Sequence, residues 1–262
     1  MKFRTILLIL ALGLIISPAK SSDSLNIRRI ARISLSRCNE MTLFGGYALV
    51  SGDGNLKLVD IGTPSSPSLV STCYAGSMGD ENKGVWAFEN YAYMIGSSCT
   101  LPPYFAIFDI SEPRSPSLLH LDTLDFTPTD MNGAFPYIAV GGGGHRIFDV
   151  SIPTNPEQVL NSPEWALALD LDLPYLYGSD NHRRLDIFDL TAFPPTETRI
   201  SGMGYADVGD YLYNLEVDGG YLCGIGDSQF TVIDVSSPSA PILTGTHPYT
   251  GGYMGGVDMD YP

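Results

Sequence analysis

The chain has 262 residues, 44% of them hydrophobic, which is enough to bury a substantial core. Its formal net charge of −15 repels nucleic-acid phosphates and anionic lipid, so nucleic acid is excluded as a partner and the plain reading is a solvated acidic surface. High counts of Gly (28), Pro (19) and Tyr (15) point to a turn-dense all-β chain.

The N-terminus reads as a signal peptide over residues 1–22. Lys2 and Arg4 form a basic start, Ile6 to Ile16 an apolar run too short to cross a bilayer comfortably, and Ala19 and Ser21 a small-residue cleavage context. An uncleaved anchor is the competing reading. The expected setting is secreted, extracellular or periplasmic, with no transmembrane helix left after cleavage. Residues 23–262 then form the mature domain. Its first segment, residues 26–36, is expected to be an outermost strand without its own blade.

From there the chain repeats. Five segments read alike: "LVDIGTPSSPSLV" from Leu58, "IFDISEPRSPSLL" from Ile107, "IFDVSIPTNPEQV" from Ile147, "IFDLTAFPPTETR" from Ile187 and "VIDVSSPSAPILT" from Val232. In each, an apolar strand is closed by an aspartate, namely Asp60, Asp109, Asp149, Asp189 or Asp234. That carboxylate is placed to accept backbone N–H groups of the next turn. Two prolines, such as Pro113 and Pro116, then stop the strand. The fourth copy departs, with Phe193, Pro194 and Pro195 in the turn. A Tyr-led strand precedes each segment, starting at Tyr47, Tyr91, Tyr137, Tyr175 and Tyr221. Another apolar run stands before each tyrosine and a fourth after each turn. The expectation is an all-β β-propeller of four-stranded blades, five complete repeats plus a partial closing blade.

The unit "YxYxxG…IFDISxPxxPxLL" resembles the LVIVD repeat, and the resemblance covers nearly everything from Ile27 onward. It implies a propeller and an extracellular setting, with no single activity. Residues 253–262 look like an innermost first strand, and the C-terminus falls where a Tyr-led strand is expected next. The expectation is a C-terminally truncated chain, surface-associated through missing sequence; a natural five-bladed ring with leftover ends is the alternative.

Counting back seven residues from each leading tyrosine gives the channel positions Glu40, Gly84, Asp130, Ala168 and Asn214. Glu40, Asp130 and Asn214 offer oxygen ligands for a hard cation such as Ca²⁺, although Gly84 and Ala168 leave the ring incomplete. A water-filled polar channel is the plain alternative, with no cofactor. The loops "GGGGHR" and "SDNHRR" put His145, Arg146, His182 and Arg183 in equivalent places of adjacent blades, a cluster suited to an anionic group or to acid–base chemistry. The glycine run lacks the lysine and helix of a phosphate loop, and no GxSxG, HExxH or EF-hand pattern occurs. Cys73 and Cys99 fall on one face in neighbouring blades and are expected to form a disulfide. Together these readings favour a non-enzymatic recognition module for a protein, glycan or surface polymer. The alternative is a metal-dependent hydrolase or lyase with its site at the channel mouth.

Overall fold

The computed structural model describes residues 30–75, 81–98, 102–180, 182–192, 196–249 and 257. Within them the chain forms five antiparallel four-stranded sheets and one four-residue helix. Blade 1 holds β1 (Glu40–Phe44), β2 (Tyr47–Gly52), β3 (Asn55–Asp60) and β4 (Ser68–Tyr74). Blade 2 holds β5 (Glu81–Phe88), β6 (Tyr91–Ser97), β7 (Tyr104–Asp109) and β8 (Ser117–Thr123). Blade 3 holds β9 (Pro128–Ala134), β10 (Tyr137–Gly142), β11 (Gly144–Asp149) and β12 (Glu157–Ser162). Blade 4 holds β13 (Ala168–Asp172), β14 (Tyr175–Ser179), β15 (Leu185–Asp189) and β16 (Thr198–Met203). The helix α1 (Tyr205–Val208) leads into blade 5, with β17 (Asn214–Asp218), β18 (Tyr221–Ile225), β19 (Gln229–Asp234) and β20 (Ile242–Pro248).

Every second strand starts at its leading tyrosine, and every third strand ends at its anchor aspartate. The aspartates close their turns alike. One carboxylate oxygen accepts the N–H two residues on, Asp60 from Gly62, Asp109 from Ser111, Asp149 from Ser151 and Asp189 from Thr191 at 2.8 Å, and Asp234 from Ser236 at 2.9 Å. The residue after each aspartate donates its N–H to the hairpin joining the first two strands, as in Ile110 to Asn90 at 2.7 Å. Two hydrogen bonds thus bend the chain away from the sheet before the prolines end it.

The core lies between blades. Alternate residues of a strand face opposite neighbours. In β6, Ala92 and Met94 pack with blade 1, while Tyr93 and Ile95 pack with blade 3. Both faces are buried, so the segment reads "YAYMIG" without polar alternation. Gly96 makes room for the Tyr104 ring, which a Cβ there would meet at 2.7 Å. First strands pack in succession, β1 on β5, β5 on β9, β9 on β13 and β13 on β17, as the inner strands of a propeller do.

The N-terminal expectation needs correction. Residues 30–38 form no strand. Ile33, Leu35 and Cys38 instead lie on the apolar face of blade 1 made by Ala48, Val50 and Val59. Burying these side chains on that face outweighs the ladder hydrogen bonds of an outer strand. The signal-peptide segment lies outside the described residues. So does the expected C-terminal inner strand, except Val257, whose N–H bonds the Asn214 side chain of β17 at 2.8 Å.

Candidate functional site

Antiparallel pairing makes the chain run down each first strand, up the second, down the third and up the fourth. The second-to-third connections therefore share one face with the connections from each fourth strand to the next first strand. We call it the loop face.

Of the nominated channel ligands, Asp130 belongs to a joint between blades. Asp130 of β9 accepts the N–H of Met131 at 2.8 Å and of Leu169 in β13 at 2.8 Å. Asp170 of β13 repeats this with Leu171 at 2.9 Å and Val217 of β17 at 2.5 Å. Asn214 continues it by accepting from Val257. Asp130 and Asp170 thus each clasp their own blade to the next. Burial pushes Asp130 up to about 6 and Asp170 up to about 7, against the pull of their N–H donors. Burial, with the Asp130 charge second, pushes Glu40 up to about 7. As a calcium site the trio Glu40, Asp130 and Asn214 fits poorly. Both Asp130 oxygens and the Asn214 oxygen already serve backbone donors, and a hard cation needs six to eight oxygens, roughly. Among the described residues, no group of three or more His, Cys, Asp or Glu side chains gathers to hold a metal ion.

The histidine–arginine loops are not gathered into one cluster. The β10–β11 hairpin is tighter than its glycine run implies, and places His145 and Arg146 within β11. A Cβ at Gly141 would run into the Ala166 carbonyl, so the glycines admit the chain leading into blade 4. His145 is 0% exposed. Its Nδ1 lies 2.9 Å from the Glu164 carbonyl and its Nε2 2.7 Å from the Glu197 carboxylate of blade 4. A carbonyl only accepts, so Nδ1 carries a proton. The Ser162 hydroxyl bonds the other Glu197 oxygen at 3.1 Å. Arg146 is buried too, donating to the carbonyls of His145 and Ser162 at 3.2 Å and lying 4.7 Å over the Phe126 ring. His145 thus joins blades 3 and 4, while Arg146 ties blade 3 to the connection from blade 2 through Phe126 and Asp125; both are buried.

His182 and Arg183 do reach the loop face. The His182 side chain is 72% exposed. Their loop is built on buried Asp180, which accepts the N–H of His182 at 2.8 Å, the N–H of Arg184 at 2.9 Å and the Arg184 Nε at 2.8 Å. Burial works to raise this carboxyl, but the hydrogen bonds from Arg184 and His182 prevail and hold it below the usual range. Arg183 takes a left-handed φ of 63°, which sets its guanidinium 4.3 Å over the Tyr211 ring. Tyr211 stacks on Tyr213 with ring centroids 5.7 Å apart and planes 14° from parallel. Buried Asp210 pins this second loop, accepting Tyr211 N and Ser228 N at 2.8 Å. Tyr213 is 47% exposed. Burial and a hydrogen bond to Asp227 raise its phenol. Trp165, 45% exposed, stands in the equivalent connection one blade earlier.

Sequence reasoning missed Trp165, Tyr211 and Tyr213. The available signal was their place between a fourth strand and the next first strand, where no core position demands an aromatic. Cys73 is a free thiol packed with the core between blades 1 and 2, and its expected partner Cys99 lies outside the described residues. Among the described residues, no helix is long and apolar enough to cross a membrane.

A family model described as LVIVD repeat matches residues 39–75, 81–121, 130–162 and 209–247, more than half of the chain. Blade 4, with the altered proline turn, is the one left unmatched. No curated protein matches. Among solved structures, a protein of unknown function from Desulfotomaculum acetoxidans is 10% identical with a TM-score of 0.67, covering 83% of this chain and 72% of that one. A protein described as a putative 6-phosphogluconolactonase from Bacteroides uniformis is 13% identical with a TM-score of 0.65, covering 79% and 70%. A computationally designed protein, Ika8, is 12% identical with a TM-score of 0.58; the match covers 78% of this chain but 60% of the designed one. At these identities the likeness concerns the fold alone.

Proposed function

This chain belongs to the LVIVD repeat family, and we propose that it is a non-enzymatic recognition module acting in an extracellular or periplasmic setting. Its loop face takes a protein, glycan or surface polymer. The observation that carries this reading is the stack of Arg183, Tyr211 and Tyr213. Two loops from neighbouring blades are each pinned by a buried aspartate to hold three planar groups at the surface. A preset, half-exposed aromatic platform with few rotatable bonds binds at low entropic cost. The signal-like N-terminus supports the extracellular setting.

The test is capture. The purified chain is immobilised and exposed to the extracellular and envelope fractions of its source cells. Saturable binding that is lost in an Arg183→Ala, Tyr211→Ala, Tyr213→Ala triple variant of unchanged melting temperature is the expected result. Equal binding by the triple variant would overturn the reading.

A further inference from the structure

Resting on that recognition reading, we infer that the loop face binds a neutral polysaccharide, with Tyr213 and Trp165 as platforms for separate pyranose rings.

The chemistry of the platform carries the argument. The face of an aromatic ring is electron-rich, and the axial C–H bonds of a pyranose are electron-poor, so the two pack face to face. Tyr213 is suited to this. One neighbour is the near-parallel Tyr211, and its hydroxyl is fixed by a hydrogen bond to Asp227. The ring is thus held in place while half of it stays open to solvent. The polar groups beside it are of both kinds, an accepting carboxylate at Asp227 and the donating guanidinium of Arg183 above Tyr211. Sugar hydroxyls donate and accept at once, and use both.

Charge selects among ligands. A net charge of −15 disfavours uronates, sulfated glycans and other polyanions. The single guanidinium on the stack is already ordered over a ring. A neutral chain meets no such repulsion.

Topology favours a polymer over one sugar. Trp165 lies between β12 and β13, and Tyr213 between β16 and β17, which are matching connections of consecutive blades on one face. A ligand that engages both must extend from one blade to the next.

The experiment is affinity electrophoresis of the full chain in gels containing laminarin, xylan or galactomannan as neutral probes. Polygalacturonate serves as the anionic probe and poly-L-proline as the extended-peptide probe. We expect retardation by at least one neutral glycan. Tyr213→Ala and Trp165→Ala should each weaken it by about tenfold or more, with melting temperatures unchanged, while Tyr213→Phe retains most of it. Retardation by no neutral glycan, or full affinity in both alanine variants, overturns the inference. If poly-L-proline or polygalacturonate binds through the stack instead, the glycan assignment falls and the recognition reading stands. If no probe and no cell fraction depends on the stack, both fall.

Discussion

The carboxylate of Asp130 in blade 3 accepts the backbone N–H of Leu169 in blade 4 at 2.8 Å. Asp170 makes the same bond to Val217 one blade on, and Asn214 to Val257 after that. The inner strands are therefore tied by side chains where no sheet ladder joins them. Removing Asp130 strands a buried donor. Asp130→Ala should cost about 1–3 kcal/mol in urea denaturation, and Asp130→Asn, which keeps one acceptor, distinctly less. Equal stability of wild type and Asp130→Ala would show the clasp to be incidental.

Glu40, Asp130 and Asp170 share one direction of shift, to about 7, 6 and 7, each driven first by burial. Between their unfolded values, roughly 4, and these raised values, the folded chain binds more protons than the unfolded one. Their influence on stability is therefore best below the unfolded values and worsens as pH rises to neutrality. Melting temperature should fall between pH 4.5 and 7.5, and fall less in Glu40→Gln. A melting temperature that rises across this window contradicts the assignment. The aspartates held low by turn hydrogen bonds, such as Asp109 and Asp234, act with the opposite sign and at lower pH, so they do not mask it.

His145 and His182 should respond oppositely to truncation. His145→Ala leaves the mostly buried Glu197 carboxylate without its imidazole partner, and is expected to cost about 2–4 kcal/mol in chemical denaturation. His182→Ala removes a mostly exposed ring and should stay within about 0.5 kcal/mol of wild type.

Outer strands carry a further joint. The Ser71 hydroxyl of β4 bonds the Pro113 carbonyl in the turn of blade 2 at 2.6 Å. Ser201 of β16 does the same to Pro238 in blade 5. Ser71→Ala should lower stability by about 1 kcal/mol, measurable as an earlier urea midpoint with an unchanged slope.

What the sequence disclosed, and what it hid, follows from the range of each interaction. The anchor aspartates, paired prolines and leading tyrosines act within a blade, over a few residues, and recur with every copy, so the blades were legible. The joints between blades were not. His145 meets Glu197 from 52 residues away, in the one copy whose turn departs from the pattern. A glycine run suggested an exposed loop because nothing local indicates that the Ala166 backbone passes against it. Residues 26–36 have strand-like composition, yet the described part went to cover blade 1, since an apolar face outranks local propensity. The Tyr211–Tyr213 stack sits beside α1, which has no counterpart among the described residues of the other blades, so repeat comparison could not flag it.

The most direct test of the recognition reading is hydrogen–deuterium exchange of the full chain, with and without saturating extracellular fraction. The account predicts slowed exchange at residues 182–184 and 209–213 on the loop face, and little change in the anchor-aspartate turns on the opposite face. Protection confined to those turns or to the inner strands, with the Arg183 and Tyr211 loops unaffected, would contradict it.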